Sequence, residues 1–202
     1  DLCAWFNEQP KLTARINTIL IDIPQCLTML NEQGWAVTQD SNYEDIIYIN
    51  SHRGSLEKSE AFIKGYITFM DKASMLVARL VNPQPGERIL DCCAAPGGKS
   101  MYMATLMDNV GSLMSCDIHE HKIELMNSNA DRLGASIVHT KVQDATKLPD
   151  SWNSYFDRVL VDAPCSGLGI LQKKLDMRWR KQESILSELP PLQLAILERA
   201  AM

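Results

Sequence analysis

The feature that most constrains this chain is the run Asp91-Cys92-Cys93-Ala94-Ala95-Pro96-Gly97-Gly98-Lys99-Ser100. A short apolar strand, Arg88 to Cys92, passes through small residues and two glycines straight into a helix that opens at Gly98. A turn this poor in side chains leaves its backbone open to close approach by a ligand. The alternation then continues. Helix Gly98 to Met107 is followed by strand Gly111 to Asp117, helix His119 to Leu133 and strand Ser136 to Thr140. A loop with a short helix leads to strand Asp157 to Asp162. Strand and helix in strict alternation predict an α/β fold with a parallel sheet covered on both faces. Ligands of such sheets sit beyond the carboxyl ends of the strands, so functional residues are expected just after Asp91, Asp117, Thr140 and Val161.

Upstream, residues 1–65 read as a small N-terminal α/β domain with its linker. It has a strand near Ala14 to Leu20, a helix from Pro24 to Gln33 and a strand at Asp45 to Asn50. Residues 66–202 form the main domain, beginning with the apolar stretch Tyr66 to Phe69. Asp71 is the expected cap of a helix ending at Val81, and Pro83 and Pro85 stop that helix. A last apolar helix is expected over Leu189 to Met202. No run approaches the roughly 18 apolar residues that a membrane helix needs. The six cysteines form no CxxC pair, which argues against a disulfide framework or a metal site and for a reducing cytoplasm.

The glycine turn is not a phosphate-binding P-loop, because GxxxxGK[ST] requires glycine where Cys93 stands. A P-loop-like nucleotide hydrolase is nevertheless an alternative, suggested by Gly98-Lys99-Ser100 and the acid-terminated strand at Asp162. Asp117, at the end of its strand, can accept both hydroxyls of a ribose. Asp144, in Val142-Gln143-Asp144-Ala145, can receive the exocyclic amine of an adenine. Together they describe an adenosine pocket without a pyrophosphate cradle. The fourth strand delivers Asp162-Ala163-Pro164-Cys165-Ser166-Gly167-Leu168-Gly169, presenting Cys165 at the ligand edge. A thiolate adding to carbon 6 of a pyrimidine makes carbon 5 nucleophilic towards an electrophilic methyl. From the residues alone, Cys165 is the candidate for that attack.

The same two segments carry a resemblance. Leu90 to Ser100 resembles the LDxCAAPGGK[TS] motif, and Val161 to Gly169 the VDAPCSGxG motif, of the Sun (Fmu) family of S-adenosylmethionine-dependent RNA cytosine-5 methyltransferases. Asp117 to Lys122 (DIHEHK) and Asp131 to Gly134 (DRLG) are similar to the bacterial branch acting on small-subunit ribosomal RNA. The match runs from Arg15-Ile16-Asn17-Thr18 to Gln193. The resemblance implies a Rossmann-like methyltransferase domain beside a small RNA-recognition-like domain. It implies S-adenosylmethionine as cofactor, held by Cys93, Ala94, Ala95, Pro96, Gly97, Gly98, Lys99, Asp117, Asp144 and Asp162. Lys99 and Asp162 are implied beside the target base, and Cys165 is implied in product release. In the family the attacking thiolate belongs to a Thr-Cys motif after a later strand, which these 202 residues do not contain. The chain therefore reads as a fragment whose sheet lacks its C-terminal strands, inactive alone.

Net charge is −5, so attraction to a polyanion has to come from a local patch. Only residues 173–202 hold more basic than acidic side chains. Their positives crowd into Lys173, Lys174, Arg178, Arg180 and Lys181, beside Trp179. This cluster is the expected RNA contact, and a non-catalytic RNA-binding module is the remaining alternative. The expected partner is small-subunit ribosomal RNA, with no membrane and no metal.

Overall fold

The computed structural model describes residues 2–180 and 182–202 and contains two four-stranded sheets. After a short helix α1 (Leu2–Trp5) come β1 (Leu12–Ile16), α2 (Ile23–Glu32), β2 (Ala36–Gln39), β3 (Ile46–Ser51), α3 (Glu60–Ile63) and β4 (Ile67–Phe69). These strands form an antiparallel sheet of order β2-β3-β1-β4. Alternation decides its two faces. Ala14, Ile16, Ile47 and Ile49 point to one side and pack with Cys26, Leu30 and Ala61 of α2 and α3. Arg15 and Ile46 point to the other side and are wholly buried against the second sheet's helices.

That second unit begins with α4 (Lys72–Leu80) and runs through β5 (Arg88–Asp91), α5 (Gly98–Leu106), β6 (Ser112–Asp117), α6 (Glu120–Leu133), β7 (Val138–Val142) and β8 (Arg158–Leu160). All pairings are parallel, in the order β7-β6-β5-β8. The order reverses between β5 and β8, which makes the crevice above them the expected ligand site. Ile89, Leu113, Met101 and Met103 are among its fully or almost fully buried side chains. Each contributes about 1.5–3 kcal/mol by leaving water. Helices α7 (Met177–Arg180) and α8 (Ile185–Ala200) close the chain.

The units are joined by a polar seam. Tyr102 donates to Asp45 (2.6 Å), and Arg79 bonds both. The buried Arg15 guanidinium donates to Thr105 (3.1 Å) and lies 5.1 Å from the Tyr102 ring centre. Asn17 donates to the carbonyls of Gly65 and Leu133, both at 2.9 Å, tying the first sheet to the end of α6.

Several expectations need correction. The first strand lies at 12–16 and not at 14–20; from Asn17 the chain turns to meet Tyr66. Strand β2 was not anticipated, because Ala36-Val37-Thr38-Gln39 is short and faces solvent on most positions. Tyr66 to Phe69 contains β4, which pairs with β1. The first sheet therefore reaches past residue 65. Asp71 precedes α4 but makes no capping bond; its carboxylate pairs with Lys173. Helix α8 starts before Leu189 and contains Pro190 and Pro191 near its beginning.

Candidate cofactor and RNA site

The turn after β5 is held by its backbone. Cys92 N–H donates to the Leu160 carbonyl of β8 (3.0 Å) and Ala94 N–H to the Cys116 carbonyl of β6 (2.7 Å). The loop is thereby fastened to both neighbouring strands. Gly97 then takes φ +95° and starts α5. That left-handed conformation favours glycine, and a Cβ there would also crowd Met126 and Met101 at 3.2–3.3 Å. Ser100 is fully buried and donates to Asp91 (2.7 Å). With its hydroxyl bonded to Asp91 inside the core, Ser100 is not presented at the surface as a P-loop hydroxyl that holds a metal ion must be, which counts against the P-loop reading. The second Asp91 oxygen is buried without a partner. Burial pushes this carboxyl up to about 6.

Above β5, β6 and β7 a cavity of about 130 Å³ unites Cys93, Asp117 and Asp144, three of the residues expected to hold the cofactor. Asp117 ends β6 and accepts from the His119 N–H (3.0 Å), with the Lys122 ammonium at 3.5 Å. Asp144 accepts from the Thr146 N–H (2.9 Å) and hydroxyl (2.7 Å), which hold its carboxyl below the usual range. Ile118, Ala145, Pro164, Leu192 and Ile196 supply apolar walls that sequence reasoning missed. Ile118 was legible as the residue after a strand-ending acid. The α8 residues carried no signal, since their position depends on a chain reversal.

Lys99 and Asp162 meet at 2.6 Å, joining the first turn of α5 to the loop after β8. This pair sits beside the cavity and does not line it; Ala94 to Gly98 and Cys165 are likewise not among the lining residues. Cys165 is the exposed cysteine among the described residues. Cys93 and Cys116 are pushed up to about 11 and about 12 by burial, and Cys92 higher still, so all three are neutral thiols at physiological pH. Neutral, shielded thiols are poor nucleophiles.

The basic cluster is less uniform than its sequence. Lys173 is paired with Asp71, Arg180 lies 3.8 Å from Asp176, and Lys174 and Trp179 are exposed. Trp179 is 89% exposed, so it does not pack inward. Lys181 and the Arg178 side chain lie outside the described residues. Among the described residues no metal-binding cluster occurs, and no helix is long and apolar enough to cross a membrane.

Residues 78–202 match the family described as 16S rRNA methyltransferase RsmB/F. A Bacillus subtilis protein named probable ribosomal RNA small subunit methyltransferase B is 40% identical over 201 residues, covering 99% of this chain and 44% of that protein. Ribosomal RNA small subunit methyltransferase B of Klebsiella pneumoniae is 32% identical over 193 residues, covering 95% and 44%. A crystal structure of a methyltransferase homologue from Pyrococcus horikoshii is 26% identical with TM-score 0.81, covering 97% of this chain and 62% of that one. The fold and the crevice at its strand ends are therefore those of the Rossmann-like S-adenosylmethionine-dependent methyltransferases. Within that class, the chain belongs to the RsmB/F family. It spans a little under half the length of the curated relatives it matches.

Proposed function

We propose that this chain is the cofactor-binding and base-binding part of a methyltransferase that acts on carbon 5 of a cytosine in small-subunit ribosomal RNA. The observation that carries this reading is the Lys99–Asp162 pair at 2.6 Å beside a cavity that holds an acid at the end of β6 and another after β7. The residues suit S-adenosylmethionine, which would supply an electrophilic methyl group. Asp117 would take the ribose hydroxyls once Lys122 swings aside, Asp144 would face the adenine amine, and Ile118 and Ala145 would pack on the ring. Beside the cavity, the turn at residues 93–98, with no side chain at Gly97 and Gly98, would meet the donor's amino-acid end.

Lys99 and Asp162 would orient the target base through hydrogen bonds. A thiolate from the Thr-Cys motif would add to carbon 6, and carbon 5 would then take the methyl. Removal of the carbon 5 proton would expel the thiolate and restore the ring. Cys165, exposed on the loop after Asp162, would assist that elimination. In a protein carrying both this chain and the Thr-Cys motif, Cys165→Ala is expected to methylate RNA and then accumulate a covalent RNA adduct on a denaturing gel. Loss of both methylation and adduct, with cofactor binding intact, would make Cys165 the attacking residue.

A further inference from the structure

The face of the first sheet that points away from α2 and α3 is only partly covered. Over β1 and the start of β3 it is sealed, with Arg15 and Ile46 wholly buried and Thr13 bonded to the Met70 carbonyl. Over β2 and the end of β3 it is open. There Thr38 stands opposite Tyr48, and Asn50, at a bulge, bonds to Thr38, at the floor of a cavity of about 770 Å³ whose lining includes Lys11, His52 and Lys72. Tyr48 is half-buried, and the ammonium groups of Lys11 and Lys72 lie 5.6 and 5.8 Å from its ring centre. Lys72 also pairs with Asp40, which cancels the groove's one acid.

We propose that this half-open face holds an unpaired nucleotide of the substrate RNA, its base stacked on Tyr48 and a flanking phosphate met by Lys11, while Lys72 neutralises Asp40; this rests on the reading of the chain as an RNA methyltransferase. Three observations carry it. An aromatic ring on a sheet face flanked by cations is the surface on which single-stranded bases stack, and the lysines occupy the place that a base would take. The groove also holds polar groups for a base edge: Asn50, whose amide nitrogen donates to the Thr38 hydroxyl (2.8 Å), keeps its carbonyl oxygen as an acceptor, and His52, at 3.1 Å from the Gly54 carbonyl through Nδ1, keeps Nε2. It is also continuous with the proposed base site: Lys72 follows Asp71, which pairs with Lys173 downstream of the Cys165 loop, and Met70 lies 3.8 Å from the Cβ position of Gly98. A strand leaving the target base can cross residues 70–72 directly into the groove. The sealed half explains why no aromatic pair occurs on the central strands: β1 presents Arg15 there to the second unit and cannot present a ring to RNA.

The test is binding of a fluorescent single-stranded oligoribonucleotide to the 202-residue chain, with photocrosslinking of a thiouridine-substituted copy. Tyr48→Ala is expected to weaken binding about tenfold and to abolish the crosslink to residue 48. Tyr48→Phe, which keeps the ring and loses only the hydroxyl's bonds to Asp40 and Lys72, restores both. S-adenosylmethionine binding, measured on the same samples, stays unchanged and reports that the variants fold. If Tyr48→Ala bound RNA as tightly as the parent while Lys174→Ala did not, the groove would be overturned and the methyltransferase reading would stand. A parent chain that bound S-adenosylmethionine and no RNA would overturn the groove and the assignment of an RNA substrate together.

Discussion

The loops after β5 and β8 face each other across the Lys99–Asp162 pair and differ in almost every physical respect. The first is small, buried and tied by backbone hydrogen bonds to both adjacent strands. The second leads into residues 165–180, where Cys165, Leu168, Leu175 and Trp179 are exposed. Its ties are made by side chains, Asp162 to Lys99, Gln193 to the Pro164 carbonyl (2.8 Å) and Lys173 to Asp71. The contrast matches two kinds of ligand. A small cofactor of fixed shape is served by a pocket built in advance, because ordering the pocket at the moment of binding would subtract from affinity. A folded RNA, the proposed substrate, brings its own surface, and an exposed segment presents its side chains to it.

The sharpest way to break this contrast is at Asp91, the buried base of the rigid half. Because its carboxyl is raised to about 6 from 3.8, its ionised form costs about 3 kcal/mol of stability above pH 6. The sign is that of a group that binds its proton more tightly when folded, so the cost fades as pH falls from 6 towards 4. Asp91→Asn is expected to unfold at higher temperature than the parent at pH 8, with the gap closing by pH 4. Parallel melting curves across that range would show the carboxyl to be hydrated, and the loop after β5 to be less closed than described.

Next in size is Asp117→Ala, expected to weaken S-adenosylmethionine binding by about 2 kcal/mol through loss of charge-assisted hydrogen bonds, as read by calorimetry. An unchanged affinity would remove Asp117 from the pocket. A paired substitution then compares the loops directly. Gly97 and Gly167 both have positive φ, +95° and +70°. Alanine should cost roughly 1 kcal/mol at either through left-handed strain, with the contact to Met126 adding to it at 97, in chemical denaturation. Equal costs would mean that α6 yields freely. The smallest effect is expected for Lys174→Ala, which should lower the slope of RNA affinity against salt by about one unit for one lost phosphate contact. An unchanged slope would make the exposed segment a solvated face.

The sequence exposed the parallel half more fully than the antiparallel one, and the reason is burial. Strands β5 and β6 are covered on both faces and read as apolar runs ending in acids, so their ends, and with them Asp91 and Asp117, were legible. Strand β2 faces solvent on most positions and carries no such run. In and just after β1, Arg15 and Asn17 made the stretch look ordinary, although both are wholly buried. Their burial depends on partners such as Thr105 and Leu133, far along the chain. The Lys99–Asp162 pair was legible as two candidates but not as a contact, because strand order, and not sequence, brings β8 beside β5. The turning of Ser100 into the core has the same origin.

The bond from Asn17 to the Leu133 carbonyl spans 116 residues, and this sets a schedule for a chain emerging from a ribosome. At roughly 5–20 residues per second, Asn17 waits about 6–23 s before its acceptor has been synthesised. Throughout that interval the inner face of the first sheet, with the Arg15 charge upon it, stays in water. The amino-terminal unit therefore completes its packing only after the helix ending at Leu133 has been made, and its maturation is timed by a segment encoded more than a hundred codons downstream.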